Sequence, residues 1–352
     1  PFAYTPPTGY LKLNTFNLPD SSIEDGSEYF DTVLYTGNGG TNTITGVGFE
    51  PDFVWAKSRA VEHNCLFDSV RGIYKLLYSN LANTEDNATT SLLSFDSDGF
   101  TLGSNTTPNT NGNAHVAWNW KAGGTAISNT DGTLTSSVSA NPTAGFSVLT
   151  FTGTETNQTV GHGLGVAPEL IITKNRDLGT NWVVGNTPRG WTKYLFLNLN
   201  DAEGTSGNPW NNTAPTSSVY TVGTASDTNG SSQSQVAYCF ASVEGYSKVG
   251  SYTGNGSADG TFVYTGFRPA YIMIKGTSTS SWVIIDNKRN GYNVVEPYVL
   301  ADSPNAESST YTVADFLSNG FKMRSTAVHN ASGQTWIYMA FAENPFKNSL
   351  AR

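Results

Sequence analysis

Apolar positions along this chain come in short runs set between clusters of Gly, Asn, Ser and Thr. Val, Ile, Thr, Tyr, Phe and Trp dominate the runs, which suits a pleated, half-buried surface. Trp118 and Trp120 stand two apart and so share one face of a strand. Tyr238/Phe240 and Met339/Phe341 repeat that placement. Val148, Leu149 and Phe151 predict a further buried strand before Gly153. The runs Leu170, Ile171, Ile172 and Ile272, Met273, Ile274 are continuously apolar, as expected of strands covered on both faces. Helical spacing is scarce. Ile73, Leu76, Leu77 and Leu81 predict a helix over 71–81, and 313–317 predicts one more helical turn.

The runs recur in a fixed order. Tyr35-Thr36-Gly37 is echoed by Phe151-Thr152-Gly153 and Tyr252-Thr253-Gly254. Next comes a proline ahead of an apolar run that ends in lysine: Pro51 to Lys57, Pro168 to Lys174, Pro269 to Lys275, six residues apart each time. Arg71-Gly72, Arg189-Gly190 and Arg289-Asn290-Gly291 follow, preceded by Asp68, Asn186 and Asp286. Each copy closes on aromatics 20 residues apart: Phe100 to Trp120, Tyr220 to Phe240, Phe321 to Phe341. A period of this length marks tandem modules. The expected fold is all-β: three homologous, jelly-roll-like β-sandwiches over 29–123, 144–246 and 247–352. Residues 124–143, rich in Gly, Ser, Thr and Asn, read as a linker, and 1–28, with four prolines, as an extended N-terminal arm on a neighbouring surface.

Composition narrows the function. Charged residues are 13% of the 352, half the usual share, aromatics 12%, and the net charge is −9. Disorder, a transmembrane helix and nucleic-acid binding are all disfavoured. Cys65 and Cys239 are expected free and buried. Pro1 is followed by no signal-peptide pattern, so a fragment, a processed chain or part of a longer protein is expected.

Reactive constellations are hard to assemble. The histidines His63, His115, His162 and His329 fall in no metal spacing, and His162 reads as a turn residue. Asp96-Ser97-Asp98-Gly99 lacks the later Glu of a calcium loop, and its counterpart in the third copy has no acids, so it reads as a turn. Neither a nucleophile elbow nor a phosphate loop is present. No catalytic residue, metal or cofactor is therefore assigned. Lys57, Lys174 and Lys275, with Pro51, Pro168 and Pro269, read as a structural skeleton, each lysine pairing with Asp68, Asn186 or Asp286. The candidates for glycan binding are Trp191, Trp210 and Tyr220 beside Asn211, because sugars need exposed aromatic faces flanked by amides. Seven N-x-S/T sequons, among them Asn211, Asn229 and Asn330, are unsurprising in so Asn-rich a chain.

Three stretches carry a family resemblance: Pro6 to Pro19 (PPTGYLKLNTFNLP), Tyr29 to Gly39 (YFDTVLYTGNG) and Gly46 to Arg59 (GVGFEPDFVWAKSR). They resemble appendage proteins of tailed phages from marine and cyanobacterial hosts. In those proteins the segment often follows a SPRY-like lectin-type sandwich; none stands between Pro1 and the segment here. The resemblance covers most of 6–123 and is looser beyond. It implies a virion protein, a tail fibre or spike component that contacts the host surface. Its expected partners are other virion proteins, further copies in a homotrimer, and host-surface polysaccharide. It supplies no catalytic residues, and a non-enzymatic role is expected. The alternatives are a head-decoration or fibre-shaft protein without ligand, and a polysaccharide-degrading spike, which needs two carboxylates across a groove.

Overall fold

The structure, a computed structural model, describes residues 6–10, 17 and 20–345. Unit one contains β1 (Phe30–Thr36), β2 (Asn42–Thr45), β3 (Phe53–Ser58), β4 (Asn64–Asp68), β5 (Lys75–Tyr78), β6 (Asp86–Asn87), β7 (Leu92–Asp96), β8 (Gly99–Leu102) and β9 (Ala114–Trp120). They form a large sheet in the order β1-β9-β3-β4-β5-β6 and a small one, β2-β8-β7. After β10 (Ile127–Asn129) and β11 (Ser136–Asn141), unit two has β12 (Phe146–Thr152), β13 (Gln158–Gly161), β14 (Leu170–Asn175), β15 (Val183–Asn186), β16 (Lys193–Phe196), β17 (Gly204–Thr205), β18 (Val219–Val222) and β19 (Ser234–Phe240). Its sheets are β10-β11-β12-β19-β14-β15-β16-β17 and β13-β18. Unit three has β20 (Ser247–Thr253), β21 (Phe262–Tyr264), β22 (Phe267–Gly276), β23 (Val283–Asp286), β24 (Val299–Leu300), β25 (Ala314–Leu317), β26 (Gly320–Met323) and β27 (Thr335–Pro345). Its sheets are β20-β27-β22-β23-β24 and β21-β26-β25. The protein is all-β, and one strand order recurs in all three units.

Each large sheet is covered on both faces. One face meets its own small sheet: Val54, Phe67 and Ala117 pack with Ile44, Phe100 and Leu102 in unit one, and separate clusters do the same in units two and three. The other faces of all three large sheets meet in a single shared core, which takes Trp55, Trp118 and Trp120 from unit one, Ile172, Tyr238 and Phe240 from unit two, and Met273, Met339 and Phe341 from unit three. Aromatic rings bridge the units there: Phe53 stacks on Tyr238 at 4.3 Å, Phe30 on Phe341 at 4.9 Å, and Trp118 meets Tyr271 edge-on at 5.7 Å. The continuous apolar runs therefore have a function: every residue of β3 and β14 is buried, as is every residue of β22 from Tyr271 onward.

Contacts between units run in a closed cycle. Glu85 N donates to Arg176 O (2.8 Å), Glu203 N to Thr277 O (2.8 Å) and Glu307 N to Arg59 O (2.9 Å), linking one to two, two to three and three to one. In the opposite sense, Trp182 Nε1 donates to Tyr78 O (2.9 Å) and Trp282 Nε1 to Phe196 O (2.8 Å). Asn64 holds the same position in unit one, and its Nδ2 donates to Leu300 O (3.1 Å). The chain thus wraps its repeats around a pseudo-threefold axis filled with aromatic side chains.

Four expectations are corrected. Residues 124–143 are not a free linker: β11 pairs along β12, and Leu134 N donates to Thr159 O (3.0 Å). Its inward residues are mostly small (Ser136, Val138, Ala140), so the apolar alternation is weak in the sequence. No helix forms over 71–81. Gly72 and Tyr74 turn the chain at positive φ, and β5 then pairs with β4. Leu76 joins the unit-one sandwich and Leu77 the shared core, so adjacent leucines serve opposite faces as a strand requires. Residues 314–317 are likewise a strand, with Ala314 and Phe316 inward. The last stretch of the proposed arm lies on the chain's own axis: Ile23 is in the shared core and Gly26 sits against Tyr246, while residues 8–10 are exposed. Residues 1–5, 11–16 and 18–19 of that arm lie outside the described residues. Among the described residues, no helix is long and apolar enough to cross a membrane.

Candidate functional site

The repeated Asp/Asn, Arg and Lys phrases gather where the units meet. In unit one the buried Asp68 carboxylate accepts from Arg71 N (2.8 Å) and Arg71 Nε (2.5 Å), and across the seam from Tyr238 Oη (2.8 Å). Arg71 also reaches Glu85 (3.0 Å), which Arg176 of unit two holds through two bonds (2.9 and 2.8 Å). Unit three repeats this. Asp286 accepts from Arg289 N (2.9 Å), Arg289 Nε (2.7 Å) and Trp118 Nε1 (3.1 Å), and Arg289 reaches Glu307 (3.1 Å), which Arg59 grips (3.0 and 2.6 Å). At the third seam both ends of the cross-unit bond have changed. Asn186 replaces the acid and Met339 replaces the Tyr/Trp donor. Arg189 N still donates to Asn186 Oδ1 (3.1 Å), but its guanidinium turns to Glu203 (2.8 Å) and is part-exposed, whereas the side chains of Arg71 and Arg289 are fully buried. Burial pushes the Glu85 carboxyl up, but the bonds and charges of Arg176 and Arg71 outweigh it and hold the group below its usual range.

The skeleton lysines do something other than expected. Lys57 Nζ donates to the carbonyls of Ser58 (2.7 Å), Ala60 (3.0 Å) and Glu62 (2.9 Å), with Pro304 of unit three at 3.4 Å. Lys174 Nζ donates to Asn175 O (2.5 Å) and Leu178 O (2.9 Å), and Lys275 Nζ to Ser280 O and to Asp201 O (2.8 Å) of unit two. None pairs with Asp68, Asn186 or Asp286, which the arginines already occupy. Each lysine ends a buried strand and closes the following loop by saturating carbonyls, which alternation in the sequence cannot foretell. Burial lowers all three ammoniums to about 8. Pro51 and Pro168 are buried just before β3 and β14, while Pro269 lies within β22 at a register shift, where its missing N–H is tolerated.

The glycan candidates do not form an open platform. Trp210 and Tyr220 are fully buried and Trp191 is 6% exposed, all in the unit-two sandwich core. Trp191 and Trp210 pack edge to face at 5.4 Å over Gly185, where a Cβ would lie 2.5 Å from Trp191. Units one and three carry Phe67 and Ile285 at that strand position, so the tryptophans fill the volume that Gly185 vacates. Asn211 alone of the four is exposed, in a turn at positive φ. The histidines are spent locally: His162 Nδ1 accepts from Leu164 N (3.2 Å) and His115 stacks on Tyr35 at 4.9 Å. Asp98 accepts from Gly46 N (3.1 Å) and Gly48 N (2.7 Å), which makes it a turn clamp.

Two recurring residues escaped the sequence reading. Glu85, Glu203 and Glu307 tie the seams, but an insertion in unit three shifts the third from the Arg-Gly phrase. Asn109, Asn229 and Asn330 are fully buried, each 11 residues before the last aromatic, and each clamps the turn after the Thr-Gly phrase through Asn38, Thr154 or Asn255 N. That constant spacing was a readable signal. It also removes two of the sequons, because Asn229 and Asn330 have no accessible side chain.

A family described only as a domain of unknown function, DUF7483, matches residues 25–345. The chain belongs to the DUF7483 family. No curated protein and no solved structure matches it. The DUF7483 match spans all three units, so the domain defined by the family is the closed ring and not one repeat.

Proposed function

We propose that this DUF7483 protein is a structural subunit of a phage particle, part of a tail fibre or spike, that helps the particle attach to its host. The supporting observation is the ring itself. Three sandwiches joined through one buried aromatic axis make a rigid block whose repeated groups are absorbed in holding it together. Phage fibres are commonly built with threefold symmetry, and here one chain provides three equivalent sides. In this reading the assembled subunit is a single three-sided chain, and the expected homotrimer would have to use its outer faces. The ligand-free decoration or shaft role and the degrading-spike role are the competing readings. Gold-labelled antibody against the chain should decorate an appendage of the particle, and particles lacking the chain should adsorb poorly. Unlabelled particles, or normal adsorption without the chain, would contradict the proposal.

A further inference from the structure

Because the units share one architecture, each is a control for the others, and unit three departs from them on the outer face of its small sheet. On β21, Phe262 and Tyr264 flank the buried Val263 and point outward, 46% and 56% exposed. The equivalent outward positions are Thr43 and Thr45 in unit one, and Thr159 and Gly161 in unit two. Unit one ties its threonines down, with Thr43 and Thr101 bonded at 3.1 Å, and unit two covers its edge with residues 133–134. In unit three the rings stay open. Packing does not require them, since the other two sandwiches close without them.

The surroundings indicate what would sit there. Residues two apart on a strand are about 6.8 Å apart and share a face, so the rings form a two-step apolar strip. Gly320 lies opposite Tyr264, and the Phe262 ring rests against it, which keeps the floor flat. Along the rim stand Lys322 paired with Asp259, Arg324 beside Asp315 (3.4 Å), and Lys248, whose ammonium is 5.4 Å from the Tyr264 centroid. Asp259 is 81% exposed. Adjacent donors and acceptors suit vicinal hydroxyls, and flat apolar rings suit the C–H faces of sugar rings. The local charges nearly cancel and the whole chain carries −9, which disfavours a polyanion. We infer that the outer face of the unit-three small sheet binds a neutral pyranose polysaccharide, with Phe262 and Tyr264 as stacking platforms and Asp259 and Lys322 as hydroxyl partners. This inference deepens the attachment reading and rests on it for its biological role.

Affinity electrophoresis of the full chain through native gels cast with dextran, galactomannan, glucomannan or alginate tests it. The wild type should be retarded by at least one of the neutral polymers. Phe262→Ala with Tyr264→Ala should weaken that retardation about tenfold or more, whereas Thr43→Ala with Thr45→Ala should not. Both variants should keep the wild-type thermal midpoint, since all four side chains lie on outer sheet faces. No retardation in any neutral gel, retardation only in alginate, or undiminished retardation of the aromatic variant overturns the inference. Particle labelling is read separately, so a decorated appendage with a non-binding chain would sink only the sugar site, and a sugar-binding chain absent from particles would sink only the virion role.

Discussion

Two seams of the ring carry a buried acid, a buried arginine and a hydroxyl or indole donor from the next unit; the third carries Asn186 and Met339 in those places. All three seams nevertheless keep the same backbone link, from Glu85, Glu203 or Glu307. The backbone bond and the apolar face are therefore the common requirement. The ionic cluster is an addition, tolerable only when whole. Burying a carboxylate beside a guanidinium costs desolvation that the pair must offset, and removing one partner leaves the other charge stranded. Losing the buried charge and the cross-unit donor together, while Asn186 Oδ1 still accepts from Arg189 N and the guanidinium moves toward solvent, avoids that penalty.

The contrast is broken most severely at Asp68. Asp68→Ala takes the acceptor from Arg71 Nε and from the Tyr238 hydroxyl, breaking a fully buried ion pair and leaving the guanidinium to Glu85 and Leu66 O, and should lower unfolding free energy by about 3–5 kcal/mol. Asn186→Ala at the third seam should cost only about 1 kcal/mol in the same urea titration. Next comes the lysine layer. Lys57→Met leaves a group of carbonyls without their donor and should cost about 2–3 kcal/mol, more than Lys174→Met, which releases fewer. Trp182→Phe keeps the core filled but removes one seam bond to Tyr78 O, for a loss of about 1 kcal/mol.

Acid gives a smaller and more local effect. The folded-state Glu85 carboxyl titrates below its usual 4.5, so its contribution is complete above that value and is lost as pH falls through the folded-state value. Stability measured from pH 6 downward should fall less steeply in Glu85→Gln than in the wild type. The smallest change is expected from Asn186→Asp combined with Met339→Tyr, which rebuilds the missing triad. The double variant should lie within about 1 kcal/mol of the wild type, while Asn186→Asp alone should be clearly less stable.

Much of this architecture was legible in the chain. The short aliphatic and aromatic runs announced an all-β chain, and the phrases at Pro51, Pro168 and Pro269 and the paired aromatics ending at Trp120, Phe240 and Phe341 fall at corresponding places in sheets of one strand order. What they could not give was the partner of each strand's second face. Trp118 and Trp120 share a face whatever lies opposite, and only the fold shows that units two and three lie there. Leu76 and Leu77 misled because two adjacent leucines satisfy helical spacing as well as a strand buried on both sides. Trp191 and Trp210 looked like a sugar platform because loop tryptophans beside asparagines carry no mark of the glycine whose space they fill. The open aromatic pair at Phe262 and Tyr264 went unread because two aromatics in a β run look like core until burial separates them from Val263.

Calorimetry of the whole chain tests the shared axis most directly. If one core joins the units, heating should give a single transition whose calorimetric and van't Hoff enthalpies agree, and Asp68→Ala should move that whole transition downward. Resolved transitions for separate units, with Asp68→Ala shifting only the one that reports unit one, would contradict the account.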